Sequence, residues 1–507
     1  MQFSLVFLCF IAVLLPLFFA LPRRARPYLL LAASVVFYAF AGWRALIVLT
    51  VLTLWNYLVG YAIGVRVQRQ RQTLESRRAD GSWDKPTRIA YRDRTNRHIH
   101  AYLALGVALD VALLVAFKLS LPTHVGLTAW TLPLGMSFVT LSAIAYLCDV
   151  SRGQVAFEKN PLRFALFTFY FPQMWQGPIH RYGELAPQLA SPLPYDGERV
   201  RTGLVRSLWG CLKKMVLADT AGVATAALLA RQSELGGAGM LVLIPLYTLQ
   251  IYADFTGGMD VALGISSMLG IELYENFDRP FSSTSLAEYW RRWHRSLGRF
   301  FTDYVYYPLS LCRPLSWLSR HAGRRWPLYV SVLVTWALTG LWHGFSLNFA
   351  VWGLCNGVFL LLSRELAPLR THLGKHVPRL VNSRPWQGLL CLGTMLTAGI
   401  FRTLDLNTDV GVTLTLWGQM LTPSAFGGLL DGSLWASLGL NLAEWGLLAL
   451  GVLLMWAVGR STTHLRSRLV ARPVLCGVVC ALMIAAVLVF GRYGADYDAS
   501  QFIYGQF

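Results

Sequence analysis

Charge is what this sequence has least of. Only 14% of its 507 residues are Asp, Glu, Lys or Arg, against 55% hydrophobic residues and a mean hydropathy of +0.46. Soluble domains carry about 25% charged residues, so an ordinary soluble chain is excluded. Acids are scarcer than bases, 26 against 45. Nucleotide and hydrolase signatures are missing too. There is no Gly-x-Ser-x-Gly elbow, no phosphate-binding loop and no dinucleotide fingerprint. No zinc-finger spacing or aromatic RNA-binding signature accompanies the net charge of +19, so nucleic acid is not an expected partner. A disulfide framework is absent as well. The eight cysteines (Cys9, Cys148, Cys211, Cys312, Cys355, Cys391, Cys476 and Cys480) lie mostly in apolar runs and read as small buried residues. Cys476 and Cys480 stand one helical turn apart with no His or acid nearby. His372 and His376 have zinc-helix spacing but lack its Glu, and His98 and His100 end a basic segment. No metal site is expected.

What is abundant is long apolar sequence. Neither Phe3 to Leu21 nor Tyr329 to Leu362 contains a charge. A bilayer core of about 30 Å needs roughly 20 such residues as a helix. The pattern predicts an all-α, polytopic bundle with about 10–13 membrane segments, some of them broken or re-entrant. Arg23, Arg24 and Arg26 follow the first run and no base precedes it, the reverse of a signal peptide. The run is therefore expected to be a retained anchor with its N-terminus outside. Two further segments, Pro27 to Ala41 and Leu46 to Val65, lead into a basic loop, Arg66 to Arg97, with ten Lys/Arg against four Asp/Glu. Three crossings from outside end inside, where basic loops belong. One integral-membrane domain over 1–507 is expected. It comprises N-terminal helices over 1–65, the basic cytoplasmic loop over 66–98 and a core over 99–507. Polar links are expected near Ala186 to Arg201, Cys312 to Arg325 and Ala367 to Arg384.

Two apolar stretches resist a clean spanning helix. Tyr247 to Ile271 carries Asp254 and Asp260 around Gly257 and Gly258. A carboxylate at membrane depth is costly and faces a cavity or a partner. The glycine pair predicts a bend that turns both acids inward. Tyr329 to Leu362 would span about 50 Å as one helix, so it must break, and Gly340-Leu341-Trp342-His343-Gly344 is the expected place. Irregular backbone at that depth is buried in protein or lines water, which puts His343 on a cavity wall or at its mouth. Between these stretches, Ala287 to Pro308 mixes aromatics with Arg and reads as an interfacial helix. His294 within it is explained by neither ring anchoring nor snorkelling.

His343 and His294 are the chemical candidates, each with a structural reading beside the catalytic one. A neutral imidazole has a pKa near 6.5 and accepts a hydroxyl proton near neutral pH. Attack of an alcohol on a thioester needs such a base. No Cys or Ser nucleophile adjoins either histidine, which favours direct transfer.

The same residues carry a family resemblance. Leu134-Gly135-Met136-Ser137-Phe138 with Tyr146, Phe171-Pro172-Gln173, Gly177-Pro178-Ile179 with Arg181-Tyr182, and Tyr252-Ala253-Asp254-Phe255 with Asp260 occur in order. Glu275-Asn276-Phe277, Trp290-Arg291-Arg292-Trp293-His294, Asp303-Tyr304, Gly340 to Gly344 and the C-terminal Phe502 to Phe507 follow. The chain resembles the membrane-bound O-acyltransferase family, particularly the branch that acetylates alginate and other exopolysaccharides. The resemblance implies a helical ring around a funnel, His343 as the essential histidine and His294 as the second one. It also implies a thioester donor, acyl-CoA or acyl carrier protein, with no tightly bound cofactor, and a polysaccharide or cell-envelope acceptor on the far side. Membrane lipids and, in many members, a periplasmic acyltransferase are partners, and the location is the inner membrane. Asp254, Asp260, Asn276, Trp293, Trp342 and Asp303 are carried as substrate or tunnel positions. Gly257-Gly258-Met259, Tyr307 to Leu311, His180 and Gly505 depart from the family pattern. They leave the acyl group and acceptor open, with D-alanyl transfer to teichoic acid the family alternative. A transporter using the acids and histidines as an ion path, or a scaffold for a periplasmic transferase, are the rivals of other classes.

Overall fold

The computed structural model describes residues 5–40, 42–123, 135–407, 409–422, 429 and 432–493. Leu134 and the Phe502 to Phe507 ending lie outside them. Every regular element among the described residues is helical. Among the described residues, six helices are long and apolar enough to cross a membrane: Trp43–Ala79, Lys85–Leu119, Gln232–Met268, Leu347–Glu365, Leu442–Arg460 and Pro473–Phe490. Shorter apolar helices cover Val6–Ala20, Arg26–Ala39 and Met136–Ser151. The chain is a polytopic helical membrane protein, as its hydropathy requires. Internal contacts gather it into two compact units, Met1–Val200 with Ile265–Tyr274, and Arg201–Gly264 with Glu275–Phe507.

The first unit holds α1 (Leu5–Ala20), α2 (Arg26–Ala39), α3 (Trp43–Ala79), α4 (Lys85–Thr123), α5 (Met136–Ser151), α6 (Pro161–Phe169), α7 (Phe171–Gln176) and α8 (Tyr182–Ala190). Arg66 to Arg97 is not the expected loop. α3 and α4 run 37 and 39 residues, about 55 Å each at ~1.5 Å per residue. Their apolar halves match a bilayer and their basic halves continue as helix beyond it. Arg, Gln and Glu are good helix formers, so charge density ends the membrane span without ending the helix. Between them, Asp80 accepts from Ser82 N at 2.9 Å and Asp84 from Thr87 N at 2.9 Å. α5 is the centre of this unit, buried at every position except Cys148 and Ser151. A Cβ on Gly60 would stand 2.4 Å from the Tyr146 ring, and one on Gly106 2.7 Å from Leu147. Small residues thus let α3 and α4 close on α5. Tyr146 and Tyr182 both serve Glu158: the Tyr146 hydroxyl accepts from Glu158 N at 3.0 Å, and Tyr182 donates to its carboxylate at 2.6 Å.

The second unit begins within α9 (Gly197–Cys211). It continues through a π-helical segment (Leu212–Ala218), α10 (Asp219–Ala230) and α11 (Gln232–Met268), which it holds up to Gly264. The predicted bend at Gly257-Gly258 does not occur. α11 stays helical there, and its one non-helical residue is Gly236 (φ 48°, ψ −133°). A Cβ on Gly257 would lie 2.9 Å from Gly210 O, and one on Gly210 2.5 Å from Gly257 O. The glycine supplies close helix approach rather than flexibility. The expected interfacial helix over Ala287 to Pro308 is also not one helix. It is α12 (Leu286–Arg292), α13 (Arg295–Phe301), a π-helical turn (Thr302–Tyr306) and α14 (Tyr307–Ser310). Tyr289, Trp293 and His294 in it are buried. α15 (Arg313–His321), α18 (Ala367–His376) and α19 (Pro378–Val381) make helices of stretches expected as links.

The break in the long apolar run falls where its length demanded. α16 (Trp326–His343) ends on the histidine, and α17 (Leu347–Glu365) starts after an extended Gly344 and Ser346. The two helices pack against each other through glycine. A Cβ on Gly340 would be 2.1 Å from Phe349 O, and one on Gly353 2.1 Å from Trp336 O. α20 (Arg384–Arg402) leads into a 3-10 turn, Thr403–Asp405. Then follow α21 (Val410–Gln419), α22 (Ser433–Ala436), α23 (Leu442–Val470) and α24 (Pro473–Phe490). Asn441 and Glu444 form a capping box at the start of α23.

Candidate active site

His294 sits at the junction of α12 and α13 in left-handed backbone, φ 46° and ψ 52°. Such a conformation costs a β-carbon-bearing residue about 1–3 kcal/mol and persists only where neighbours enforce it. Asn276 is the enforcer. Its carbonyl accepts from Arg295 N at 3.0 Å and its side-chain oxygen from Ser296 N at 2.9 Å. It thereby takes two of the orphan donors at the start of α13. Asp278 N adds a bond to Arg292 O at 3.0 Å on the other side of the turn. Asn276, expected as a tunnel residue, is fully buried and holds the backbone that aims His294.

The structure brings the two histidines together around one indole. The Trp342 ring lies 6.1 Å from the His294 ring and 4.8 Å from that of His343, edge-on to both. His343 leans on Trp352 at 5.2 Å and His294 on Phe255 at 4.8 Å. Trp290 donates to Asn356 at 3.0 Å and packs on Trp336 and Trp352, closing the wall behind His343. His294 and His343 are 3% and 8% exposed, so the surroundings of both are largely protein. Phe255 is the next residue after Asp254, so α11 gives an aromatic face to the histidine and its acid to another neighbour.

That neighbour is a lysine. Lys214 Nζ lies 2.8 Å from Asp254 and 2.8 Å from Asp219. Lys213 Nζ is 2.7 Å from Asp260, which Arg206 also meets at 2.8 Å. Both lysines come from the π-helical segment, a distortion often found at functional positions. Arg206 forks onto Glu275 at 2.5 and 2.7 Å and so anchors the strand of chain that carries Asn276. The two acids expected at a tunnel are thus ion-paired partners in a buried network. Asp303 lies in the π-helical turn after α13 and is half-buried.

Trp293 is enclosed. Tyr289 stacks on it at 5.6 Å, Phe277 meets its edge at 5.0 Å, and the Arg402 guanidinium covers its face at 4.7 Å. Arg402 is missing from the sequence reading, as is Asp405, 3.9 Å away. Both are buried. The signal was an arginine ending an apolar helix, since a charge in such a segment points to a partner. Asn348 in the first turn of α17 donates to Leu404 O at 2.9 Å and contacts Ser346. One side of the turn therefore touches the residue before His294, and the other side touches the segment just past His343. His294 and Asp405 both lie outside the six spanning helices. Burial, and then the Arg402 charge, hold the His294 imidazole down to about 3, so it is neutral. Burial pushes the Asp405 carboxyl up to about 7 against the pull of Arg402.

The neutral imidazole of His294 beside His343 in a buried aromatic chamber suits proton transfer to and from a hydroxyl. The family model for membrane-bound O-acyltransferases matches residues 35–401. A relative named "Probable alginate O-acetylase AlgI", from Pseudomonas aeruginosa, is 32% identical over 74% of this chain and 67% of its own length. The peptidoglycan O-acetyltransferase of Helicobacter pylori is 28% identical over 66% of this chain and 64% of its own. The teichoic acid D-alanyltransferase of Bacillus subtilis is 28% identical over 45% of this chain and 58% of its own. The chain thus spans about two thirds of the length of its acetylating relatives. The matched region contains the buried histidines, the ion-pair network and the α16–α17 hairpin, and this acyltransferase belongs to the membrane-bound O-acyltransferase family.

Proposed function

We propose that the protein transfers an acetyl group from a cytoplasmic thioester, acyl-CoA or acyl carrier protein, to a hydroxyl of an extracytoplasmic polysaccharide. The bilayer it crosses is the inner membrane. His343 is the general base. It takes the hydroxyl proton as the oxygen attacks the thioester carbonyl; the C–O bond forms, the C–S bond breaks and the thiolate leaves with that proton. His294, neutral across the physiological range, orients the reacting groups by hydrogen bonding rather than by charge. The observation that carries this reading is the meeting of two histidines from separate segments on the two sides of Trp342. Acetyl is preferred to D-alanyl because the acetylating relatives align over 66% and 74% of the chain and the D-alanylating one over 45%. The pairing of Asp254 and Asp260 with lysines weakens the ion-path reading, since neutralised acids are poor carriers of a moving charge. Inverted membrane vesicles given acetyl-labelled CoA or carrier protein provide the test. Protein-dependent release of free thiol with label in a polymer fraction is expected. Vesicles that take up ions but consume no thioester make the protein a transporter.

A further inference from the structure

The unit that contains neither histidine has a cavity of its own. α2, α6 and α8 contribute to a space of about 390 Å³, within the usual range for a small-molecule site. Its lining combines Leu31, Leu166 and Leu189 with Tyr28 and two guanidiniums, Arg24 and Arg163. Arg24 precedes α2 and Arg163 stands in the first turn of α6; both are exposed. Neither pairs with a carboxylate among the described residues. Their neighbour Arg26 shows the contrast. It is buried, and it donates to Leu21 O at 3.2 Å and Phe19 O at 3.3 Å, capping the end of α1. Arg26 serves the fold, whereas the two cavity arginines have charge to offer a ligand.

Sidedness agrees. The basic halves of α3 and α4 mark the cytoplasmic side, and the segment leading into α6 lies against α3 where its basic half begins: Tyr57 donates to Lys159 O at 2.8 Å, and a Cβ on Gly64 would stand 2.3 Å from Phe157. Contact with α3 thus puts Arg163 toward the cytoplasmic face, and the shared cavity puts Arg24 beside it. Two cations beside leucines suit a phosphate joined to an apolar tail. Anionic lipids of the cytoplasmic leaflet present that combination to basic pockets between membrane helices.

We propose that this cavity binds an anionic glycerophospholipid of the inner leaflet. The headgroup phosphate lies between Arg24 and Arg163, and the first acyl carbons lie against Leu31, Leu166 and Leu189. The test uses the full chain purified in mild detergent as wild type, R24Q/R163Q and the control R23Q, whose arginine lies outside the cavity lining. Native mass spectrometry measures retained phosphatidylglycerol. Thermal melting is followed on adding phosphatidylglycerol, phosphatidylcholine or CoA. Wild type and R23Q should retain phosphatidylglycerol and melt higher with it than with phosphatidylcholine. R24Q/R163Q should retain at least about ten-fold less and lose the melting shift, the scale expected when a phosphate loses its cationic partners. If the double variant does not fold, Leu31→Trp fills the cavity with both charges intact and should show the same loss. Wild-type retention by whichever variant folds overturns the proposal. So does a melting shift that depends on Arg24 and Arg163 but is produced by CoA and not by phosphatidylglycerol, which makes the cavity a site for the donor's phosphate.

Discussion

Gly340→Ala is the sharpest mechanical test of how His343 is held. The substitution sits three residues before the histidine, on the face of α16 that meets α17. Its new Cβ would lie 2.1 Å from Phe349 O and 3.2 Å from Gly353 N. A carbon–oxygen contact needs roughly 3.3 Å, so the helices must separate by about 1 Å. Both obstacles are backbone, so no rotamer change relieves them. Overpacking of this kind costs about 1–3 kcal/mol. A misplacement of about 1 Å at a reacting group lowers turnover about 100-fold. We therefore expect G340A to fold with a lowered melting temperature and to lose about two orders of magnitude in acyl transfer, a larger effect than its stability loss accounts for. Gly388→Ala in α20, where a Cβ meets nothing within 4 Å, is the control and should match wild type in both. The assays are thermal melting in detergent and thioester consumption in vesicles. G340A with wild-type turnover would refute the claim that the α16–α17 contact sets the position of His343.

Three other substitutions probe the surroundings. Asn276→Ala leaves Ser296 N without its side-chain acceptor and the left-handed His294 without support. It should cost about 1–3 kcal/mol and reduce activity at least ten-fold, read from melting and turnover together. Lys214→Met removes the shared cation from Asp254 and Asp219 and should destabilise by about 3–5 kcal/mol, whereas K214M/D254L relieves the more deeply buried acid and should recover part of that stability. Activity in the double variant would mark Asp254 as structural, and its loss in a well-folded double variant would return the acid to the reaction. Asp405→Asn tests the raised carboxyl. A folded-state pKa of about 7, above the unfolded ~3.9, means the folded state holds the extra proton. The stability this group contributes is full at low pH and fades as pH rises through 7. Melting of D405N should therefore gain on wild type between pH 5 and pH 8; a constant difference would contradict the assignment.

Much of this architecture was legible because membrane physics leaves few options. The run from Tyr329 to Leu362 exceeded the bilayer, so a break was forced, and the glycine-flanked histidine block marked its place. Other features were misread where one residue type serves two physical ends. Gly257 looked like a hinge, but a missing Cβ also admits another helix backbone, and only Gly210 on α9 distinguishes the two. The basic stretch after Val65 looked like a loop because charge reports where the membrane stops, not where a helix does. Trp293 read as a substrate or tunnel position, yet Arg402, over a hundred residues away, covers its face. The partners of Asp254 and Asp260 were hidden in the same way. Lys213 and Lys214 belong to another segment, and pairing over such distances leaves no periodic trace. The assignment of His343 drew on both the forced break and the resemblance, while the pairing of His343 with His294 through Trp342 required coordinates.

The central claim is that His343 performs the transfer. Acyl content of the cell-surface polymers, measured by NMR in cells with wild-type protein, no protein, or H343A at matched membrane levels, tests it most directly. The account predicts that acylation vanishes equally without the protein and with H343A. Full acylation with H343A would contradict it and leave the chain a scaffold or a transporter.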